Sequence, residues 1–126
     1  MLIYKLLVAD EWAAAKAAGR FGGSAVDLAD GYIHFSTAEQ VAQTAARYFA
    51  DRRNVVLLAV AADLLGDLRW EPSRGGALFP HLYASLGTEA VVGEWHLPGD
   101  IPVDEAVTRA LAQGAGAGPP SGILME

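Results

Sequence analysis

The chain has 126 residues, of which 52% are hydrophobic and 19% are charged, and it contains no cysteine. This composition predicts one globular domain rather than a disordered chain, and it excludes disulfides, thiolate metal sites and cysteine nucleophiles. The formal net charge of −6 argues against an extended nucleic-acid surface, because duplex binding depends on neutralising phosphates, but it leaves room for a compact anionic ligand.

The N-terminal residues do not have the features of a targeting segment. A basic start, a sustained apolar stretch and a small-residue cleavage site are all missing, and no apolar run approaches the roughly 20 residues that span a bilayer. We therefore expect a cytoplasmic protein without a membrane partner.

The first third of the chain predicts a strand, a helix and a loop. Alternating side chains predict a strand over residues 2–8, with Lys5 on the same face as two apolar residues. Asp10 is placed to cap an alanine-rich helix that stops at Gly19. Residues 20–31 are glycine-rich and predict a loop.

The next segment predicts a short strand over residues 32–36 that leads directly into the clearest helix, over residues 36–50. Its apolar stripe contains Val41, Ala45, Tyr48 and Phe49.

The second half predicts mostly strands. Residues 54–61 form the most apolar segment and predict a central strand. Further strands are expected over 68–73 and from 78 to Tyr83, where Pro80 disfavours a helix, and the last over residues 89–98.

Strands outnumber helices, and the two main helices fall early, which predicts an α+β domain over residues 1–111. Residues 112–126 form a Gly/Ala/Pro-rich tail of low complexity that cannot contribute much to a core. Contact with a neighbouring copy of the chain is one way to hold this tail in place. Such a contact would make the protein a homo-oligomer.

The segment DGYIHFSTAEQ combines a structural pattern with a candidate functional residue. Ser36 and Glu39 fit a capping box, in which a hydroxyl and a carboxylate satisfy the first helix N–H groups, and this pattern needs no function. In a strand, His34 shares a face with Tyr32 and Ser36, and nothing structural accounts for it.

The same alternation recurs in two later segments. One extended segment places Arg69, Glu71 and Ser73 on one face, and another does the same for Phe79, His81 and Tyr83. A half-exposed antiparallel sheet gives such alternation, but histidine and aromatic residues are unusual in its polar positions. We therefore expect His34 and His81, with Glu71, to belong to a site.

Other kinds of site are less well matched. The three histidines have no zinc-ligand spacing, and no nucleophile elbow, P-loop or dinucleotide fingerprint occurs. Arg74 lies between Ser73 and two glycines and could hold an anion from a turn, although a solvated arginine is the more common case.

These residues carry a resemblance to a known family. The segments IYKL, EW, DGYIHFSTAEQ, RYF, LRWEPSRGG and FPHLY occur in the order typical of the small bacterial proteins called domain of unknown function 952, over residues 2 to about 97. The resemblance implies an ADP-ribosyltransferase-like fold, with two small antiparallel or mixed sheets and two main helices around an NAD-binding cleft.

The resemblance also implies residue roles. His34, followed by Phe35 and Ser36, resembles the strand-borne histidine that holds the nicotinamide-side ribose in ADP-ribosyltransferases. The aromatic that holds nicotinamide would be Tyr48 or Tyr83. The glutamate would be Glu94 by position or Glu71 by motif, and His81 resembles the second basic residue of RNA 2′-phosphotransferases.

We accordingly expect a cleft that binds a small molecule. Its expected lining residues are His34, Ser36, Glu71, Ser73, Arg74, His81 and Tyr83. The first hypothesis is binding of NAD or a related nucleotide, with transfer of ADP-ribose. The alternatives are a non-catalytic metabolite-binding module and phosphotransfer or hydrolysis on a nucleotide or RNA end. A carboxylate within reach of the histidines favours catalysis, because it can stabilise developing positive charge.

Overall fold

The computed structural model describes residues 1–114, with the side chain of Arg74 left undescribed. This part of the chain contains eight strands and four α-helices, with short 3-10 turns at Ala62–Leu64, Arg74–Gly76 and Thr88–Ala90. The elements are β1 (Leu2–Val8), α1 (Ala9–Ala18), β2 (Arg20–Phe21), α2 (Ala25–Asp30), β3 (Ile33–His34), α3 (Val41–Tyr48), β4 (Val55–Ala61), β5 (Leu68–Ser73), β6 (Ala77–Leu82), β7 (Leu86–Gly87), β8 (Val91–His96) and α4 (Val103–Gly114).

Three strands form what we call the core sheet, in the order β1-β4-β8, with both pairings antiparallel. The apolar strand β4 is central, as its sequence predicts. Its alternate residues enter two separate apolar clusters. Leu58 packs with the side of the sheet that carries α1, whereas Leu57 packs with α3 and α4 on the other side.

A second three-stranded antiparallel sheet, which we call the site sheet, has the order β3-β6-β5. Ile33 pairs with Leu82, and both side chains are buried in the same cluster as Leu58. Because side chains alternate across a strand, the neighbouring residues His34 and His81, which also pair, belong to the opposite face. The site sheet therefore buries Ile33 and Leu82 in the apolar cluster of the core sheet and carries its two histidines on the other face.

The glycine-rich residues 20–31 are not the predicted loop. They form strand β2, which pairs with β7, and helix α2. Ser24 precedes α2, and its backbone N–H donates to the carboxylate of Asp27 at 2.9 Å, so this carboxylate satisfies the N-cap N–H. The preceding helix, α1, begins at Ala9, so Asp10 lies in its first turn rather than at the predicted N-cap.

The predicted capping box at Ser36 and Glu39 is also wrong. Ser36 continues the extended chain, since its backbone pairs with that of Tyr4, and its hydroxyl lies 2.9 Å from that of Thr44. Helix α3 begins only at Val41, after a turn. Of the predicted apolar stripe, Tyr48 is the exception, because its side chain is 58% exposed.

A fourth helix, α4, was not predicted. Its residues Val103, Ala106, Val107 and Ala110 pack into the cluster shared with α3 and β4. The helix extends through residues 112–114, which the sequence assigned to the tail, while residues 115–126 lie outside the described part. The fold is thus mixed α+β with small antiparallel sheets and four helices rather than two. Within residues 1–114, no helix has the length and apolarity needed to cross a membrane.

Candidate functional site

The polar face of the site sheet gathers five of its side chains into a cluster that we call the His–Tyr cluster, consisting of Tyr32, His34, Glu71, His81 and Tyr83. The Tyr32 ring stacks on His81 with centroids 4.1 Å apart and contacts His34 at 4.7 Å and Tyr83 at 5.2 Å. The two imidazole rings lie 5.7 Å apart, edge to face. Cross-strand pairing of β3 with β6 explains this meeting, because residues directly opposite have neighbouring side chains.

Glu71 brings a carboxylate into the cluster. Its Oε1 lies 2.8 Å from Nδ1 of His81 and accepts a hydrogen bond of 2.8 Å from the hydroxyl of Tyr83. The bond from His81, followed by that from Tyr83, holds the pKa of Glu71 below its ordinary value. The carboxylate is therefore ionised, and it fixes both partners.

The pKa values of Tyr32 and Tyr83 are raised, in contrast to that of Glu71. The hydrogen bond to Glu71 is the main cause that raises the pKa of Tyr83. Burial, then the charges of Asp30 and Glu71, raises the pKa of Tyr32. Both phenols therefore remain protonated and able to donate. The guanidinium of Arg69 lies 4.4 Å from the centroid of the Tyr83 ring, where it places a cation at the edge of the cluster.

His34 is held from beneath by Asp27, a buried residue that the sequence analysis did not identify. Its Oδ1 lies 2.5 Å from Nδ1 of His34 and accepts the His34 backbone N–H at 3.1 Å. Lys5, also buried, donates to both carboxylate oxygens at 3.0 and 3.2 Å. Burial by itself raises the pKa of Asp27, but the bonds from His34, Lys5 and Ser24 outweigh it and leave that pKa well below its ordinary value. The ionised Asp27 thus joins α2, β1 and β3 at one point and fixes the His34 ring.

The outer nitrogen of His34 also has a partner. Its Nε2 lies 2.9 Å from Oδ2 of Asp30, the last residue of α2. The Asp30 side chain is 46% exposed, whereas that of His34 is 32% exposed. The accessible edge of the imidazole is therefore covered by a carboxylate at the surface.

The three remaining predicted site residues differ in where they lie. Ser73 lies on β5, two residues beyond Glu71, so it shares the polar face of that strand. Ser36 does not join the cluster, because it is buried and its hydroxyl is within hydrogen-bonding distance of that of Thr44. The side chain of Arg74 lies outside the described part of the structure.

The alternatives drawn from the resemblance are also separated from the cluster. Glu94 lies on β8 of the core sheet, where its carboxylate contacts His96 at 2.7 Å and Lys16 at 3.5 Å. Tyr48 lies on α3, on the other side of the core sheet. Of the two candidate glutamates, only Glu71 belongs to the His–Tyr cluster.

Two observations limit what kind of site this is. The described residues contain no group of three or more histidine and acidic side chains placed to hold a metal ion. A cavity of about 210 Å³ lies elsewhere, between the segment 50–55 and the segment 97–103. Of the predicted cleft residues, five instead lie on one face of the site sheet, where His81 is buried and the other four are half-buried: His34, Glu71, Ser73 and Tyr83.

The residues that sequence reasoning missed had left detectable patterns. Lys5 shares a strand face with apolar residues, and a buried lysine needs an acidic partner. Ser24 and Asp27 have the spacing of a capping box. Asp30 had no comparable pattern. The site as a whole offers a fixed carboxylate, two phenolic donors, two imidazoles and stacked aromatic faces, a set that can bind a ring and stabilise positive charge.

Comparison with known proteins identifies relatives without a described activity. Residues 6–94 match the family model described as "Protein of unknown function (DUF952)". The crystal structure of protein CC0527 from Caulobacter crescentus is 53% identical, with a TM-score of 0.78, over 86% of this chain and 99% of that one. Its solution NMR structure is 54% identical, with a TM-score of 0.74, over 90% and 97% of the two chains. No match is found among curated proteins.

Proposed function

Since the chain belongs to the DUF952 family, for which no function is described, we propose from its own geometry that it binds NAD or a related nucleotide at the His–Tyr cluster and transfers ADP-ribose. The observation that carries the proposal is Glu71, whose carboxylate lies between His81 and Tyr83 beside the stacked ring of Tyr32. An ionised carboxylate on an aromatic-lined surface is what cleavage of a nicotinamide–ribose bond requires, because positive charge develops on the ribose.

The likeness to an ADP-ribosyltransferase fold is part of the same proposal. Two small antiparallel sheets share one apolar cluster, and the candidate ribose-binding histidine is on a short strand of the site sheet. In this assignment His34 binds the ribose, and Tyr32 or Tyr83 stacks on the nicotinamide ring. Glu71, rather than Glu94, lies beside the ribose carbon at which the bond breaks.

Each residue has a chemical task in this arrangement. The bonds from His81 and Tyr83 hold the Glu71 carboxylate in one orientation, so that little reorganisation is needed when charge develops. The leaving nicotinamide departs as a neutral ring, which requires no general acid, and a nucleophile (water when no other acceptor is present) forms the new bond to the ribose carbon and loses its proton to solvent. The cluster therefore needs only to bind the substrate and to position one carboxylate beside the ribose.

Calorimetric titration and thermal shift with NAD, ADP-ribose and nucleoside phosphates test the binding step. His34→Ala should weaken binding, whereas His96→Ala is the matched control, since His96 is 62% exposed and lies on the core sheet. Failure of all these ligands to bind the wild-type protein would reject the proposal. Equal binding by wild type and His34→Ala would remove His34 from the site.

Release of nicotinamide from NAD tests the chemical step. Glu71→Gln should retain binding while lowering this rate by about 10²- to 10³-fold, the usual effect of losing one electrostatic group in an active site. Glu94→Gln, at the other candidate glutamate, should leave the rate unchanged. Binding without any nicotinamide release in the wild-type protein would instead identify a non-catalytic binding module.

Stacking can be tested separately through the tyrosines. Tyr32→Leu should weaken nucleotide binding by about 1–3 kcal/mol, the contribution of one stacked base. Tyr48→Leu is its control, because Tyr48 lies on α3, away from the cluster. A larger effect at Tyr48 than at Tyr32 would place the ligand elsewhere.

A further inference from the structure

The imidazole of His34 lies between two carboxylates. Asp27 contacts Nδ1 at 2.5 Å, and Asp30 contacts Nε2 at 2.9 Å. An ionised carboxylate can only accept hydrogen bonds, so the ring nitrogen that faces Asp30 contacts it as a donor. His34 then presents Nε2–H toward the surface.

The two carboxylates are held very differently. Asp27 is 1% exposed and is fixed by Lys5, by Ser24 and by the backbone N–H of His34. Asp30 is 46% exposed and lies at the C-terminal end of a six-residue helix. Asp27 is therefore a permanent partner of the ring, whereas Asp30 can be exchanged.

We infer that Asp30 occupies the position of an anionic oxygen of the ligand, and that a phosphate oxygen displaces it and accepts the Nε2–H of His34 on binding. This inference deepens the proposed function and rests on it for the nucleotide part of the ligand. An N–H donor favours an anionic acceptor over a neutral one, because charge-assisted hydrogen bonds are about twice as strong as neutral ones.

The layout of the site sheet favours a ligand with more than one anionic group. His34 pairs with His81, and His81 pairs with Arg69, so the three side chains form one row across three strands. Two inter-strand spacings separate the backbones of His34 and Arg69 by about 10 Å. A diphosphate with a ring attached spans this distance better than a single phosphate does.

Substitution of Asp30 tests the inference through affinity. Calorimetry should show that Asp30→Ala binds ADP-ribose about two- to fivefold more tightly than wild type, the range that an exposed ion pair contributes. Adenosine, which lacks phosphate, should bind both proteins equally. Asp104→Asn, an exposed acid on α4, is the control for net charge and should change nothing. Unchanged or weaker binding of ADP-ribose by Asp30→Ala would overturn the inference.

A measurement without nucleotide separates this inference from the proposed function. In protein carrying ¹⁵N-labelled histidine, Asp30→Ala should shift the ring signals of His34 and not those of His96. Inorganic pyrophosphate should then shift the His34 signals further in the variant. If these shifts occur while no nucleotide binds, the proposed function fails and the anionic site stands. If the His34 signals respond to neither change, the inference fails even where ADP-ribose binds.

Discussion

Replacing Lys5 by methionine should lower the free energy of unfolding by more than the similar shapes of the two side chains suggest. Lys5 and Asp27 are 5% and 1% exposed, and the ammonium lies 3.0 Å from one carboxylate oxygen and 3.2 Å from the other. Methionine keeps the volume of the side chain but removes the charge, so an ionised carboxylate remains buried. Removing one partner of a buried pair costs about 3–5 kcal/mol.

That loss is a large part of the stability of a domain, which is typically about 5–15 kcal/mol. For a chain of this length it corresponds to a decrease in melting temperature of roughly 10–20 °C. Urea unfolding at neutral pH, followed by circular dichroism, measures the free energy of unfolding directly. Lys16→Met is the matched control, because Lys16 contacts Glu94 at 3.5 Å with its side chain 51% exposed. The control should lose less than about 1 kcal/mol.

The outcome that contradicts this reasoning is a small loss. If Lys5→Met costs no more than Lys16→Met, then the hydrogen bonds from Ser24 and His34 suffice for Asp27, and Lys5 is not needed to keep the carboxylate ionised. The same conclusion would follow if Lys5→Met weakened nucleotide binding without lowering the free energy of unfolding.

Three further outcomes follow from the same geometry. The pKa of Asp27 is lowered from its ordinary value of 3.8, so the contribution of this carboxylate to stability is complete above that pH and decreases as the pH falls. The urea concentration at the unfolding midpoint should therefore decrease once the pH is below about 4. A midpoint that stays constant down to about pH 2.5 would refute this. Gly93→Ala should cost about 1–3 kcal/mol in the same assay, because the new methyl carbon would lie 2.9 Å from the Trp95 ring, whereas Gly22→Ala, with nothing within 4 Å, should be neutral. Ser24→Ala should cost about 1 kcal/mol through loss of its 3.1 Å bond to Asp27, and an unchanged unfolding midpoint would show that the cap is dispensable.

Strand periodicity predicted the side chains of the cluster well. Alternation placed His34, Glu71, His81 and Tyr83 on the polar faces of three short segments, and those faces belong to one sheet. It could not say which segments pair or in which register, since β3 pairs with β6 across about 50 positions and a local pattern carries no information on such a contact. Alternation also could not say which of Glu71 and Glu94 contacts His81, because it did not pair their segments with any other strand.

Local patterns failed where tertiary contacts replaced them. Ser36 has the spacing of a capping residue, yet its backbone pairs with β1 and its hydroxyl lies beside that of Thr44. The glycines around residues 20–31 obscured a six-residue helix, which is too short to have a detectable period. Helix α4 did have the apolar spacing of an amphipathic helix, and it could have been predicted.

The attachment of His34 to Asp27 has a consequence for engineering the protein. Buried ion pairs can often be replaced by well-packed apolar residues with a gain in stability. A leucine at residue 27 paired with methionine at residue 5 is the obvious choice here, but it would also leave Nδ1 of His34 without its fixed acceptor. The same replacement would remove the acceptor of the Ser24 and His34 backbone N–H groups, so it would cost stability as well as release the His34 ring. Stability and site geometry therefore cannot be adjusted separately at this position.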